Sequence, residues 1–286
     1  MRILRAGNVA GEKCRFSGLR LGKIEAAVED DATPGTQQCL ESKWFNQSSV
    51  HVAILGVVRG RYNHHMAIDV YWGSGSPYAW RVLLALVHKH LPYQSHLLQF
   101  SKQEHQSPQM LALNPRGRVP VLKDNDYVVF ESLAVLYYLD LKYPEPPIFG
   151  RTPEEAGVIM RVICEFQAYT EPHMSQITEG IFGGHFDAHS DAATDAMHLV
   201  AREARTIEGR LSRSEWIVGE RYSAADIVIF PSIQLLLRAL SRPTARELST
   251  RFLPIEANYP ALGRWLARVA SLPGYEQTYP PHWRAP

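Results

Sequence analysis

A regular spacing of apolar and polar positions begins at Met66 and continues to the end of the chain. "AIDVYW" alternates and carries Ile68, Val70 and Tyr71, which predicts a strand over 67–72. "RVLLALVHKH" holds strong helix formers and almost no breaker, predicting a buried helix over 77–90. A strand over 93–98, a polar loop and a short helix near 107–113 follow. Two strands, 119–122 and 127–130, are then separated by the turn residues "DND", and a helix spans 132–142. This β-α-β-α-β-β-α order is a small α/β layer. "YPEPPIFGRTP" comes next, with four prolines in eleven residues, and reads as a semi-rigid inter-domain linker.

Beyond the linker every pattern is helical. "EEAGVIMRVICEFQAY" is a helix that Pro172 should kink or end. "FGGHFDAHS" is a glycine-bearing break, and "DAATDAMHLVAREARTIEGRL" is the next helix. "YSAADIVIFPSIQLLLRAL" is the most apolar segment and the expected centre of this half, opened by a capping box of Ser223 with Asp226. Helical pieces around 244–252 and 260–270 and an aromatic, proline-rich tail complete the chain. The expected organisation is an α/β domain over 66–145, a linker over 146–153 and an all-helical domain with its tail over 154–286.

Composition narrows the function. An apolar fraction of 45% and a charged fraction of 21% are ordinary for a globular protein. A net charge of +1, with no basic stripe carrying interleaved aromatics, argues against nucleic acid as a partner. The longest apolar run, "VAILGVV", is too short to span a bilayer, so no membrane role is expected. Cys14, Cys39 and Cys164 make neither a disulfide framework nor a zinc pattern, which favours a reducing, cytoplasmic location. Residues 1–65 lack a sustained period and mix basic stretches with "EDD"; they are expected to be a disordered extension, an expression remnant or an upstream mis-start.

The chemistry centres on "SPYA", where the first strand hands over to the first helix. Ser76 suits the N-cap and Pro77 the first helical position. The same turn carrying Cys-Pro-Tyr-Cys would exchange disulfides, but Ser76 and Ala79 occupy both cysteine positions. A hydroxyl at a helix N-terminus remains, able to cap and also to donate to a ligand's thiolate. Capping alone accounts for this segment equally well.

Three linked stretches alter that balance. "SPYAWRV", "NPRGRVPVL" and "FES", followed by "LAVLYYL", a proline linker and "SAAD" after "WIVGERY", stand in the order and spacing that resembles the glutathione S-transferase family. The nearest type is a serine-type, bacterial-like cytosolic transferase, and the resemblance spans residues 66 to about 275. It implies a thioredoxin-like α/β domain followed by an all-helical domain, a homodimer, glutathione as co-substrate and a small hydrophobic electrophile as partner. It also implies that Ser76 stabilises the glutathione thiolate. By the same resemblance Val119 looks like the residue whose backbone pairs with the cysteinyl unit, beside a cis Pro120, although pattern alone favours a trans proline at a strand start. The resemblance also implies that Glu131 and Ser132 hold the γ-glutamyl end; taken alone, the two residues fit an acid-plus-cap helix start as well.

For the glycine carboxylate Arg118 is the first candidate, with Lys102, Gln103 and His105 as weaker ones; a solvated loop charge fits those three as well. Tyr71 and Ser74 are rival hydroxyls, and Arg81 suits packing or an ion pair inside the small domain. Tyr169, His173, Phe182, Phe186 and Trp283 are candidates for the electrophile pocket, though each fits an ordinary core or interface position better. His185 and His189 lack a visible third ligand, so no metal is expected, and Cys164 reads as an inert buried thiol. Alternatives are a non-catalytic binder of glutathione or hydrophobic ligands, a glutathione-dependent isomerase, whose expected Ser-Ser-Cys is missing, and a disulfide reductase using two glutathiones.

Overall fold

A computed structural model describes residues 68–184, 190–250 and 252–284, all within the unit Tyr62–Pro286. The expectations for residues 1–65, Phe186, His185 and His189 lie outside the described residues. Four strands form one sheet: β1 (Ile68–Gly73), β2 (Gln94–Leu98), β3 (Val121–Asp124) and β4 (Tyr127–Phe130), in the order β2-β1-β3-β4. β1 runs parallel to β2 and antiparallel to β3, and β3 and β4 make a hairpin with Val121 opposite Phe130. Alternation along β1 buries Ile68, Val70 and Trp72 on one face. Tyr71, on the other face, stacks on His96 of β2 with ring centroids 4.5 Å apart.

The helices are α1 (Pro77–His88), α2 (Pro108–Leu113), α3 (Ser132–Lys142), α4 (Pro153–Tyr169), α5 (Glu171–Gly183), α6 (Asp191–Leu211), α7 (Ala224–Leu240) and α8 (Pro260–Ala270), with one-turn pieces between α7 and α8 and in the tail. A small α/β layer is thus followed by a helical array, as the pattern predicts. α1 joins the two, packing on α3 to one side and on α7 to the other, and buries residues 79–86 without a break. Of the two outcomes expected at Pro172 the helix ends rather than kinks: α4 stops at Tyr169, and after a break at Thr170 the proline sits in the first turn of α5.

Four local expectations are corrected. β3 starts at Val121 rather than 119, because Pro120 has no N–H to give a ladder and the Val119–Pro120 peptide, which is cis, lies outside it. The helix expected over 244–252 is a tight turn, Pro243–Ala245, and a single helical turn, Arg246–Ser249. Cys164 is exposed, since the buried stripe of α4 runs Ile159, Val162, Ile163 and Phe166, and the next residue after Ile163 rotates to solvent. The proline-rich segment is no spacer: Ile148 and Phe149 are buried, and Asp140 accepts from both of their backbone N–H groups. Buried Lys89 joins Asp140 at 2.6 Å and the carbonyls of Tyr143 and Pro146, pinning the segment to α1.

α7 opens with the expected capping box. The buried Asp226 carboxylate accepts from Ser223 N and Oγ, from Ile217 N and, at 2.8 Å, from Trp265 Nε1 of α8. The tail folds back on α1: Trp80 donates to Thr278 Oγ1 at 2.9 Å, and its ring meets Phe230, Tyr275, Tyr279 and Trp283 within 6.1 Å.

His88, at the end of α1, packs edge-on against Tyr222, and burial, with the neighbouring Lys89 and His90 charges, holds its imidazole down at about 4. The unfolded chain therefore takes up this proton first on acidification. The stability so conferred is complete above pH 6.5 and is lost as pH falls towards 4. Denaturant melts of His88→Phe and the natural chain across that window should show the natural chain losing ground as pH falls. A constant difference would contradict the neutral His88.

Candidate functional site

The turn from β1 into α1 is shaped by two backbone demands. Gly75 has φ +84, a left-handed conformation that suits glycine, and a Cβ there would stand 2.7 Å from the His282 ring. Ser76 follows as the N-cap in an extended conformation, its Oγ accepting from Ala79 N at 3.3 Å. That bond uses one lone pair and leaves the O–H available to donate. Ser76 lies on the wall of a cavity of about 720 Å³, together with Tyr78, His105, Arg118, Val119 and Trp283. A second cavity of about 580 Å³ shares Tyr78, Arg118 and Val119 with the first and reaches Pro120, Glu131 and Ser132. The shared residues join the end at Glu131 and Ser132 to the end at Ser76.

Each predicted residue can now be placed. Ser76, Arg118, Val119 and Trp283 line the first cavity, and Arg118, Val119, Pro120, Glu131 and Ser132 the second. Lys102 lines neither: it is exposed on a tight turn, and the chain reverses at Gln103, where φ is +54. Gln103 is also absent from both walls. His105 does reach the first cavity, edge-on to Phe100, with a buried Nδ1 that has no hydrogen-bond partner. Tyr169 is exposed and His173 half-buried, and neither lines either cavity: the buried positions around them are Phe166 on α4, Thr170 between the helices, and Glu171 and Met174 on α5. Phe182 does line the first cavity.

Of the rival hydroxyls, Ser74 also lines the first cavity, whereas Tyr71 lines neither. Tyr71 points to the far face of the sheet, and Ser74 Oγ stands 2.6 Å from His282 Nδ1. Burial and the charge of Arg238 lower the His282 pKa, so this imidazole is neutral at pH 7.

Arg81 corrects its own expectation. It is fully buried and pairs with Glu171 of α5, not with a residue of the small domain. It also donates to Ser232 Oγ at 3.0 Å, to the Val228 carbonyl at 3.1 Å and to Ser132 Oγ at 3.4 Å. The pair therefore ties both halves together beneath Ser132. Glu131, directly before α3, adopts φ +68 and ψ 112, a rare backbone state that places Ser132 at the helix start. Glu131 is exposed, and its nearest cation is Arg116, 3.9 Å away.

The sequence reading missed Tyr78, Phe100, Gln106, Leu235, Arg238, Arg242 and His282, which also line the first cavity. A signal was present for two of them: Arg238 and Arg242 are four apart at the end of an apolar helix. Among the described residues, no group of three or more His, Cys, Asp or Glu is placed to hold a metal.

Comparison with known proteins identifies the fold's family. Residues 75–142 match the family model of the glutathione S-transferase N-terminal domain, and residues 169–273 that of the C-terminal domain. The chain belongs to the glutathione S-transferase family. It is 27% identical over 217 residues to glutathione S-transferase A of Pleuronectes platessa, covering 74% of this chain and 91% of that protein. The crystal structure of a glutathione S-transferase from the Antarctic clam Laternula elliptica superposes with a TM-score of 0.65 at 28% identity, covering 77% and 95% of the two chains. Similarity extends to the maleylacetoacetate isomerase of Pseudomonas aeruginosa, 30% identical over 175 residues, or 59% of this chain and 80% of that protein.

Within the glutathione S-transferase frame, the two halves of the site come from different walls. The sheet side supplies Ser76, Val119, Glu131 and Ser132, and the helical side adds Leu235, Arg238, Arg242 and Trp283.

Proposed function

We propose that this chain is a glutathione transferase of the serine type, in which Ser76 stabilises the thiolate of bound glutathione for attack on an electrophilic carbon or a peroxide. The observation that carries this reading is the Ser76 hydroxyl, held at the N-terminus of α1 on a cavity wall with its proton uncommitted. The γ-glutamyl carboxylate sits against the N-terminus of α3 at Ser132, and its ammonium beside the Glu131 carboxylate. The Val119 backbone pairs with the cysteinyl unit. Arg118, with the buried Nδ1 of His105 nearby, serves the glycine end.

A free thiol has a pKa of about 8.5 and is only a few per cent ionised at pH 7. Lowering it to about 6.5 takes roughly 2.7 kcal/mol of thiolate stabilisation, within the range of a helix N-terminus plus one donated hydrogen bond. The α1 N-terminus and the Ser76 O–H supply both. The proton leaves to solvent, and the protein carries no covalent intermediate. A homodimer in the cytoplasm completes the reading, on family resemblance.

Glutathione titration of Glu131→Gln tests the ligand assignment. The substitution removes the charge that faces the ammonium, and affinity should fall about tenfold. Because Glu131 is exposed, stability should stay within about 0.5 kcal/mol. Unaltered glutathione affinity would remove Glu131 from the site.

A further inference from the structure

The helical wall of the first cavity is one face of α7 and its extension: Leu235, Arg238 and Arg242 line it at spacings of three and four. The Arg238 guanidinium lies 5.1 Å from the Trp283 ring and that of Arg242 5.9 Å from the Phe182 ring. These rings hold the cations in place without neutralising them. Among the described residues neither guanidinium meets a carboxylate, although Arg81, Arg151, Arg210 and Arg284 each pair with a glutamate. No Asp or Glu is among the described residues lining this cavity, and Arg118 adds a third cation from the sheet side. Beside the neutral polar groups of Ser76, Gln106 and His282, the cavity presents the apolar and aromatic side chains of Tyr78, Phe100, Phe182, Leu235 and Trp283. A cavity of this kind accepts a flat or greasy body that carries a negative charge.

Resting on the transferase reading, we infer that the electrophile taken beside Ser76 is an anionic one, an aromatic or unsaturated carboxylate whose charge is met by Arg238 and Arg242. The hydrophobic electrophile expected from sequence thus gains an anionic group. With a chlorodinitrobenzoate as probe, the glutathione sulfur bonds to the chlorine-bearing ring carbon, the C–Cl bond breaks and chloride leaves with the bonding pair. The thiol proton has already passed to solvent, and the carboxylate stays intact against the two arginines.

The test compares dinitrobenzoate with the neutral dinitrobenzamide by quenching of tryptophan fluorescence in the presence of glutathione, and the two chlorinated analogues by turnover. The benzoate should bind about tenfold more tightly than the amide, since charge-assisted contacts to guanidinium are lost in the amide. That ratio should shrink with added salt and collapse towards one in Arg238→Gln/Arg242→Gln. Arg242→Gln alone, at an exposed position, should lower it partway and keeps the test open if the double variant misfolds. A ratio near one in the natural chain, or one that survives both substitutions, would overturn the inference. So would Arg238→Gln weakening glutathione as much as the benzoate, which would assign the cation to the glycine carboxylate. Quenching that favours the benzoate without conjugation of either chlorinated analogue would defeat the transferase reading while upholding the anion preference.

Discussion

Ser76→Ala is expected to lower glutathione-dependent turnover by about a hundredfold, the usual consequence of removing one preorganised donor to a developing or resident anion. The hydroxyl also caps α1 through Ala79 N, so this variant should lose about 1 kcal/mol of stability as well. Ser76→Gly separates the two effects. Glycine is tolerated at the N-cap at a cost of only a few tenths of a kcal/mol, yet it donates nothing to a sulfur. Both variants should be equally slow, with denaturant melts that differ. Turnover that tracks the melts, with glycine near the natural chain, would make Ser76 a cap and nothing more.

Glu171→Ala is expected to destabilise the fold by about 3–5 kcal/mol, because it strands a buried guanidinium. Arg81 is 0% exposed and the Glu171 side chain 10%, so the guanidinium is left in a poorly solvated place without a charged partner. The remaining acceptors, Val228 O and the hydroxyls of Ser232 and Ser132, are all neutral. Removing both charges together in Arg81→Met/Glu171→Leu should cost less than Glu171→Ala alone, as replacement of a buried pair by apolar residues often does. The same network touches Ser132 Oγ, so glutathione affinity should weaken in Glu171→Ala even under conditions where it is folded. A loss below about 1 kcal/mol in chemical denaturation would show that this pair does not hold the halves together.

Much of this architecture was legible in the chain because it follows local periods. β1 alternates, α1 opens on Ser-Pro, and α7 carries its capping box, so each element declares itself within a few residues. The linked motifs likewise named Ser76, Val119, Glu131 and Ser132, which lie within one strand–helix layer and line one of two adjoining cavities. What the chain did not show depends on how distant elements meet. Arg81 looks local in "AWRVLL", but its partner is ninety residues on. The helical wall of the first cavity draws Arg238 from α7 and His282 from the tail, and a choice built on aromatic residues alone reached Trp283 and Phe182 while also taking Tyr169 and His173, which line neither cavity. Cys164 shows the same limit on a smaller scale: in an apolar helix, one step of about 100° separates core from solvent.

The central claim is that Ser76 and the α1 N-terminus lower the pKa of bound glutathione, and the thiolate absorbance of bound glutathione against pH measures that pKa without any electrophile. The account predicts a midpoint about two pH units below that of free glutathione in the natural chain, returning most of the way in Ser76→Ala. A midpoint near that of the free thiol in both proteins would contradict it and leave a protein that binds glutathione without activating it.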